Sequence, residues 1–163
     1  MPNMTARRIE LYLATWMFPY WKWLVVPRTY QVVGHECDLL ALTDRGYAHE
    51  IEIKISLSDV KADAKKEHGH MSDRVKCFWF ALPFELAERA APFIPERAGI
   101  LAVGHPDTWR GENVTIFRKA PVNRCAQPWS YADRYTLARA VYFRYWSDSV
   151  KELHAPALAE ATL

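Results

Sequence analysis

The chain is short of cysteine, of net charge and of long apolar runs, and each shortage closes off a class of protein. Its three cysteines, Cys37, Cys77 and Cys125, are odd in number and widely spaced. Such a set cannot build a disulfide framework, and it points to a reducing compartment with the thiols as buried packing. The formal charge of +2 is too small to mark a nucleic-acid binder by itself. Phosphate contacts depend on where cations sit, so a local basic cluster has to carry any such role. The apolar run from Trp16 to Val26 is interrupted by Pro19 and Lys22 and followed by Pro27, too short and too broken to span a membrane. Neither an internal repeat nor a dividing linker is visible. The expectation is a cytoplasmic protein with a single domain over residues 1–155 and a flexible tail over 156–163.

What is present begins with the residues themselves: half of the 163 are hydrophobic, enough for a sizeable core. The stretch Tyr47 to Asp63, YAHEIEIKISLSDVKAD, organises the rest. From His49 to Ser56 it alternates polar and apolar residues without a break, the pattern of a half-buried strand. Ile51, Ile53 and Ile55 share one face, and Glu50, Glu52 and Lys54 share the other. The preceding segment, His35 to Leu42, reads as a strand ending at the turn Thr43-Asp44-Arg45-Gly46 and pairing back on the first. That hairpin can set the Asp38 carboxylate beside Glu52 and Lys54. Two carboxylates suffice for a hard cation such as Mg²⁺, which keeps several waters and takes phosphate oxygens as further ligands. A neighbouring lysine can orient or help deprotonate an attacking water, or offset charge on the phosphorane. The plainer alternative is an exposed Glu52–Lys54 ion pair, which contributes little.

Around this hairpin the chain reads in order. Thr5 caps a first helix running to Phe18, with Ile9, Tyr12, Leu13 and Trp16 at helical spacing and Pro19 as its stop. Glu10 lies off that stripe, as a solvated carboxylate would. Phe18, Tyr20, Trp21 and Trp23 cluster for core packing or, more sharply, for base stacking. Arg28 to Val33 predicts a first strand that turns at Gly34. After Lys54 the period becomes helical, with Ser56 or Ser58 as cap and a helix to about Glu67. Lys61, Lys65 and Lys66 line it as a solvated face or as phosphate contacts. His68 and His70 lack a matching Cys/His pair for zinc and read as loop residues able to touch phosphate or substrate. Lys76 to Leu82 and Gly99 to Gly104 read as buried strands, with a short helix over Glu85 to Ala91 between them. Val114 to Phe117 reads as an edge strand, Arg124 to Trp129 as a loop, and Ser130 as the cap of a last helix, Tyr131 to Leu153.

A helix, a three-stranded meander, a helix and a strand, with Asp38 on the second strand and Glu52-Ile53-Lys54 on the third, resemble the PD-(D/E)xK nuclease superfamily. Cys37 stands where the superfamily's proline often precedes the aspartate. Within it, EIKISLSDVKADAKK, then KCFWFALP and PERAGILAV, look like the MmcB-type DNA-repair proteins, over roughly Val33 to Val103. The resemblance implies an α/β fold with a restriction-endonuclease-like core, a central mixed β-sheet flanked by helices in the order αβββαβ. It implies that Asp38, Glu52 and the Ile53 carbonyl hold Mg²⁺, with Mn²⁺ as substitute, while Lys54 acts at the attacking water. It also makes Glu10 an accessory ligand, as first-helix glutamates are in some members, with Glu50 as its rival. Ser56, Asp59 and Asp63 match the family pattern without a derivable role beyond capping and positioning.

Two functions from different classes follow. One is a metal-dependent nuclease hydrolysing DNA phosphodiester bonds, with Lys61, Lys65, Lys66, His68 and His70 as its contacts to DNA. The other is a catalytically inactive nucleic-acid-binding or partner-recruiting module on the same fold, serving other repair or replication proteins. Either is compatible with a homodimer, and neither involves a membrane.

Overall fold

A computed structural model of the protein describes residues 4–29, 36–63, 72–104 and 113–154. Backbone contacts divide the chain into two units, Met1–Trp129 and Ser130–Leu163, where the sequence suggests one domain through residue 155. The first unit is a mixed sheet with helices on both faces. Its elements are α1 (Ala6–Trp21), β1 (Leu24–Thr29), β2 (Cys37–Leu42), β3 (Ala48–Ile53), α2 (Leu57–Asp63), β4 (Val75–Pro83), α3 (Phe84–Ala90), β5 (Ala98–Val103) and β6 (Val114–Arg118). The strands lie in the order β1-β2-β3-β4-β5-β6. β1, β2 and β3 form an antiparallel meander, β4 and β5 continue parallel to β3, and β6 closes the far edge antiparallel. The expected αβββαβ order is present, consistent with a restriction-endonuclease-like core.

The sheet's pleat distributes the chain between two cores. Leu39 and Ala41 of β2, Ile51 of β3, Ala81 of β4 and Leu101 of β5 meet the apolar stripe of α1, Ile9, Leu13 and Met17. Phe78, Phe80 and Leu82 of β4 and Ile100 of β5 meet Val60 of α2 and Ala87 and Ala90 of α3 on the other face. Burial on both sides explains the continuous apolar text of β4 and β5, as parallel central strands require. The starts of α1 and α2 have a chemical cause. The Thr5 side chain accepts from the Arg8 amide at 3.3 Å, and Ser56 Oγ from the Asp59 amide at 3.2 Å.

Several boundaries differ from the sequence expectation. Helix α1 runs through Pro19 to Trp21, because a proline there forfeits one backbone bond close to the helix end. Lys22 then closes it in the left-handed conformation (φ 57°), donating to the Phe18 carbonyl. The first strand is Leu24–Thr29 rather than Arg28 to Val33, so Pro27 falls on an edge strand, where its missing donor is tolerated. Cys125 is exposed, whereas Cys37 and Cys77 are buried as expected. The described part of α2 ends at Asp63, and Lys65, Lys66, His68, His70 and the 156–163 tail lie outside the described residues.

The second unit contains α4 (Tyr131–His154). Ser130 Oγ accepts from the Asp133 amide at 3.1 Å while Asp133 Oδ2 accepts from the Ser130 amide at 3.2 Å, a reciprocal cap. Among the described residues no helix is long and apolar enough to cross a membrane.

Gly99 marks where β5 is packed most tightly. A Cβ there would run into the Trp79 ring and come within 2.6 Å of the Ala120 backbone nitrogen. Gly99→Ala is expected to cost about 2–3 kcal/mol of stability through overpacking. Urea unfolding measures it, and a loss under about 0.5 kcal/mol would show that β5 yields more readily than the packing implies.

Candidate functional site

The site is built by the β2–β3 hairpin and finished by α2. The turn is held by the Thr43 amide bonding to the Tyr47 carbonyl and by Gly46 at φ 84°, a value that glycine tolerates. That turn sets the register Leu40 opposite Glu50 and Leu39 opposite Ile51. One step further along the same ladder, Asp38 stands opposite Glu52, and directly opposed residues point to the same face. The Asp38 carboxylate is fixed by accepting from the Ile53 amide at 2.8 Å. On the other side of β2, the pairing of β1 passes from Pro27↔Leu39 to Thr29↔Cys37, and the intervening Arg28 is left-handed at φ 44°. For a non-glycine residue that is strain, here beside the Asp38 position.

β3 is a central strand, and its acidic side chains are buried rather than solvated. Glu50 is 0% exposed and Glu52 4%. Lys54 follows the strand end, where its amide bonds to the Ala81 carbonyl. Its Nζ lies 2.7 Å from Glu52 Oε2 and 3.1 Å from Asp63 Oδ1. Burial works to lower the Lys54 pKa, but the Glu52 and Asp63 charges outweigh it and hold the pKa above its ordinary 10.5. Lys54 is therefore an ammonium at neutral pH. It can orient groups and offset negative charge.

Asp63 is the residue whose role the sequence did not disclose. It is buried on the inner face of α2, one helical turn after Val60. The signal was present in that three-residue spacing, which puts Val60 and Asp63 on one face. Glu10, by contrast, sits on α1, whose apolar stripe covers the opposite side of the sheet, and it ion-pairs with Arg7. Lys61 is exposed on α2, its ammonium 4.4 Å from the Phe93 ring centre. The Cys37 thiol is pushed up to about 12, by burial first and by the Glu50 charge next, so it stays protonated and inert.

The donor set is therefore small. Among the described residues no group of three or more His, Cys, Asp or Glu side chains is arranged to hold a metal ion. Asp38 and Glu52 remain as an opposed carboxylate pair of the kind that Mg²⁺ takes when water and phosphate complete its shell. Ile53 meets Asp38 through its amide.

A family model described as DNA repair protein MmcB-like matches residues 6–146. No curated protein matches. Among solved structures, the SPO1766 protein of unknown function from Silicibacter pomeroyi is similar over 100% of both chains, at 20% identity and a TM-score of 0.62. At that identity the likeness extends to the fold alone.

The burial of Lys54 changes what its removal does. From the strand pattern alone Lys54→Ala looks harmless to the fold. In the structure its side chain is 11% exposed and paired on two sides. Deleting it takes the ammonium away from two buried carboxylates, which costs about 3–5 kcal/mol. The sign of the pH dependence follows. Lys54's own contribution, from a raised pKa, is fully present below about 10.5 and lost as pH rises through the folded value. In the variant, these carboxylates are relieved by protonation, so its deficit should narrow from pH 8 toward pH 5. Denaturant melts across that range check both, and a deficit under about 1 kcal/mol at pH 7 would contradict the burial argument.

Proposed function

The chain belongs to the MmcB-like DNA repair protein family, and on that footing we propose that it is a Mg²⁺-dependent nuclease of PD-(D/E)xK type, hydrolysing DNA phosphodiester bonds. The observation that supports the reading is the β2–β3 register, which runs on from Leu39↔Ile51 toward Asp38 and Glu52, together with Lys54 Nζ 2.7 Å from Glu52. Asp38 and Glu52 are the residues that would hold the cation, with the Ile53 carbonyl within reach of the same strand end. When bound, it would polarise a phosphoryl oxygen and lower the pKa of a water. The protein's own part is positional and electrostatic. The Ile53 amide aims Asp38. Asp63 gives Lys54 a second anchor, so the ammonium keeps its place when Glu52 is engaged elsewhere. That ammonium offsets charge developing on the phosphorane. Lys61, with Lys65, Lys66, His68 and His70 beyond it in sequence, supplies contacts to the DNA backbone. Glu10, paired with Arg7, has no part in the proposed metal set.

One observation favours a second reading. Glu52, Lys54 and Asp63 already form an ion triad with no metal in it. On that reading the acidic site is structural, and the protein binds DNA or recruits a repair partner without cutting.

Two experiments test these readings. Wild type is expected to cleave at least one of linear, single-stranded, flapped or four-way DNA with Mg²⁺ or Mn²⁺. Asp38→Asn should remove both the calorimetric Mn²⁺ signal and the cleavage, about a hundredfold or more. Wild type inert on the whole panel would leave the binding module as the answer. Separately, neutralising Lys61, Lys65 and Lys66 together should weaken DNA binding and reduce its salt slope by about one per lost phosphate contact. A slope equal to wild type would make those lysines a solvated face.

A further inference from the structure

The other side of the sheet carries a feature that cleavage does not use. At the C-terminal end of α1, a cavity of about 200 Å³ is lined by Trp16, Trp21, Trp23 and Trp79, with His49 among them. His49 belongs to β3, but it points to the α1 side, opposite Glu50 and Glu52. The rings run as a chain of contacts. Trp16 to Trp21, Trp21 to Trp23 and Trp23 to His49 have centroid separations of 4.4, 4.8 and 4.6 Å, with tilts of 58°, 49° and 54°. Rings that close touch one another, so they form one continuous curved wall.

Besides the indole N–H groups, the one polar side chain in the lining is His49. His49 Nδ1 accepts from Trp79 Nε1 at 3.2 Å, which leaves the ring proton on Nε2. Burial holds the His49 pKa down at about 4, so the imidazole is neutral under physiological conditions. Among the described residues nothing accepts from that Nε2–H. Trp21 is 38% exposed at the mouth, and the exposed Lys22 follows it in the left-handed turn that ends α1.

We propose that this tryptophan cavity is a stacking site for an unpaired nucleobase of single-stranded DNA, with Lys22 beside the adjoining phosphate. Indole faces stack on bases of any sequence, and a basic group alongside tracks the backbone. The charge pattern favours this occupant over a compact organic cation, the other ligand that indoles take. Lys22, exposed and next in sequence to Trp21, repels a cation and attracts a phosphate. The inference rests on the family's DNA repair role and not on cleavage.

The test uses the full chain in EDTA, so a failure of the nuclease reading cannot affect it. Fluorescence anisotropy would follow a labelled oligothymidylate strand and an abasic strand of the same length. Wild type should bind the abasic strand about tenfold more weakly, since stacking is the contribution lost. Trp21→Ala should bind the intact strand about tenfold more weakly and the abasic strand as wild type does, while Trp21→Phe keeps most of the affinity. Lys22→Gln should lower the salt slope by about one. Equal wild-type affinity for the two strands overturns the proposal, and that comparison needs no variant to fold. Equal binding by Trp21→Ala and wild type overturns it too, as does saturable quenching of the tryptophans by tetramethylammonium.

Discussion

Everything in the first unit is arranged around one uncomfortable fact: β3 takes two glutamates into the middle of a sheet. A carboxylate removed from water loses far more than a surface ion pair returns. The structure compensates Glu52 locally, with Lys54 on its own chain and Asp63 delivered by α2. The triad therefore ties the position of α2 to the end of β3, and a helix of seven described residues gains an anchor that its length alone would not provide. Stability does not explain why such a triad exists. Apolar side chains of similar volume commonly do as well or better in such places. The charges persist where a core would favour leucine, at the end of the strand to which the hairpin also brings Asp38. That is the physical ground for reading the site as functional.

The same strand also acts as a partition. Its two-residue period sends Glu50 and Glu52 toward α2 and α3, and His49 and Ile51 toward α1. The carboxylate site and the tryptophan cavity are thus built on one backbone yet separated by the thickness of the sheet. A one-residue slip in register would exchange them, placing carboxylates among the indoles and isoleucine beside Lys54. The Thr43–Tyr47 turn, with Gly46 in its left-handed conformation, is what holds the register against that slip.

Much of this was legible in the sequence, for identifiable reasons. The alternation from His49 onward and the turn residues before it foretold the hairpin, whose register runs on toward Asp38 and Glu52. Continuous apolar runs foretold β4 and β5. What escaped the sequence were features decided by tertiary contact. An alternating strand looks half-solvated until strands on both sides and helices above and below it are known, so the burial of Glu50 and Lys54 could not be read. Asp63 offered no role beyond capping and positioning because its partner lies on another element. Pro19 resembled a stop, yet a proline near a helix's last turn forfeits little. Glu10 was drawn toward the metal site by resemblance, while α1 packs its apolar stripe on the opposite face of the sheet.

The electrostatics narrow what chemistry the site can perform. Lys54 stays protonated because two carboxylates hold it so, against a burial that works in the other direction. A lysine recruited as a general base needs the reverse, desolvation without a counter-charge, to bring its pKa toward neutrality. The arrangement is suited to a fixed positive charge facing a phosphate that becomes more negative as it reacts. Nearby, His49 is kept neutral and on the far side of the sheet, and Cys37 is held as a thiol. The nuclease and binding-module readings thus differ at one place, in whether the Glu52 carboxylate can leave Lys54 to Asp63 alone.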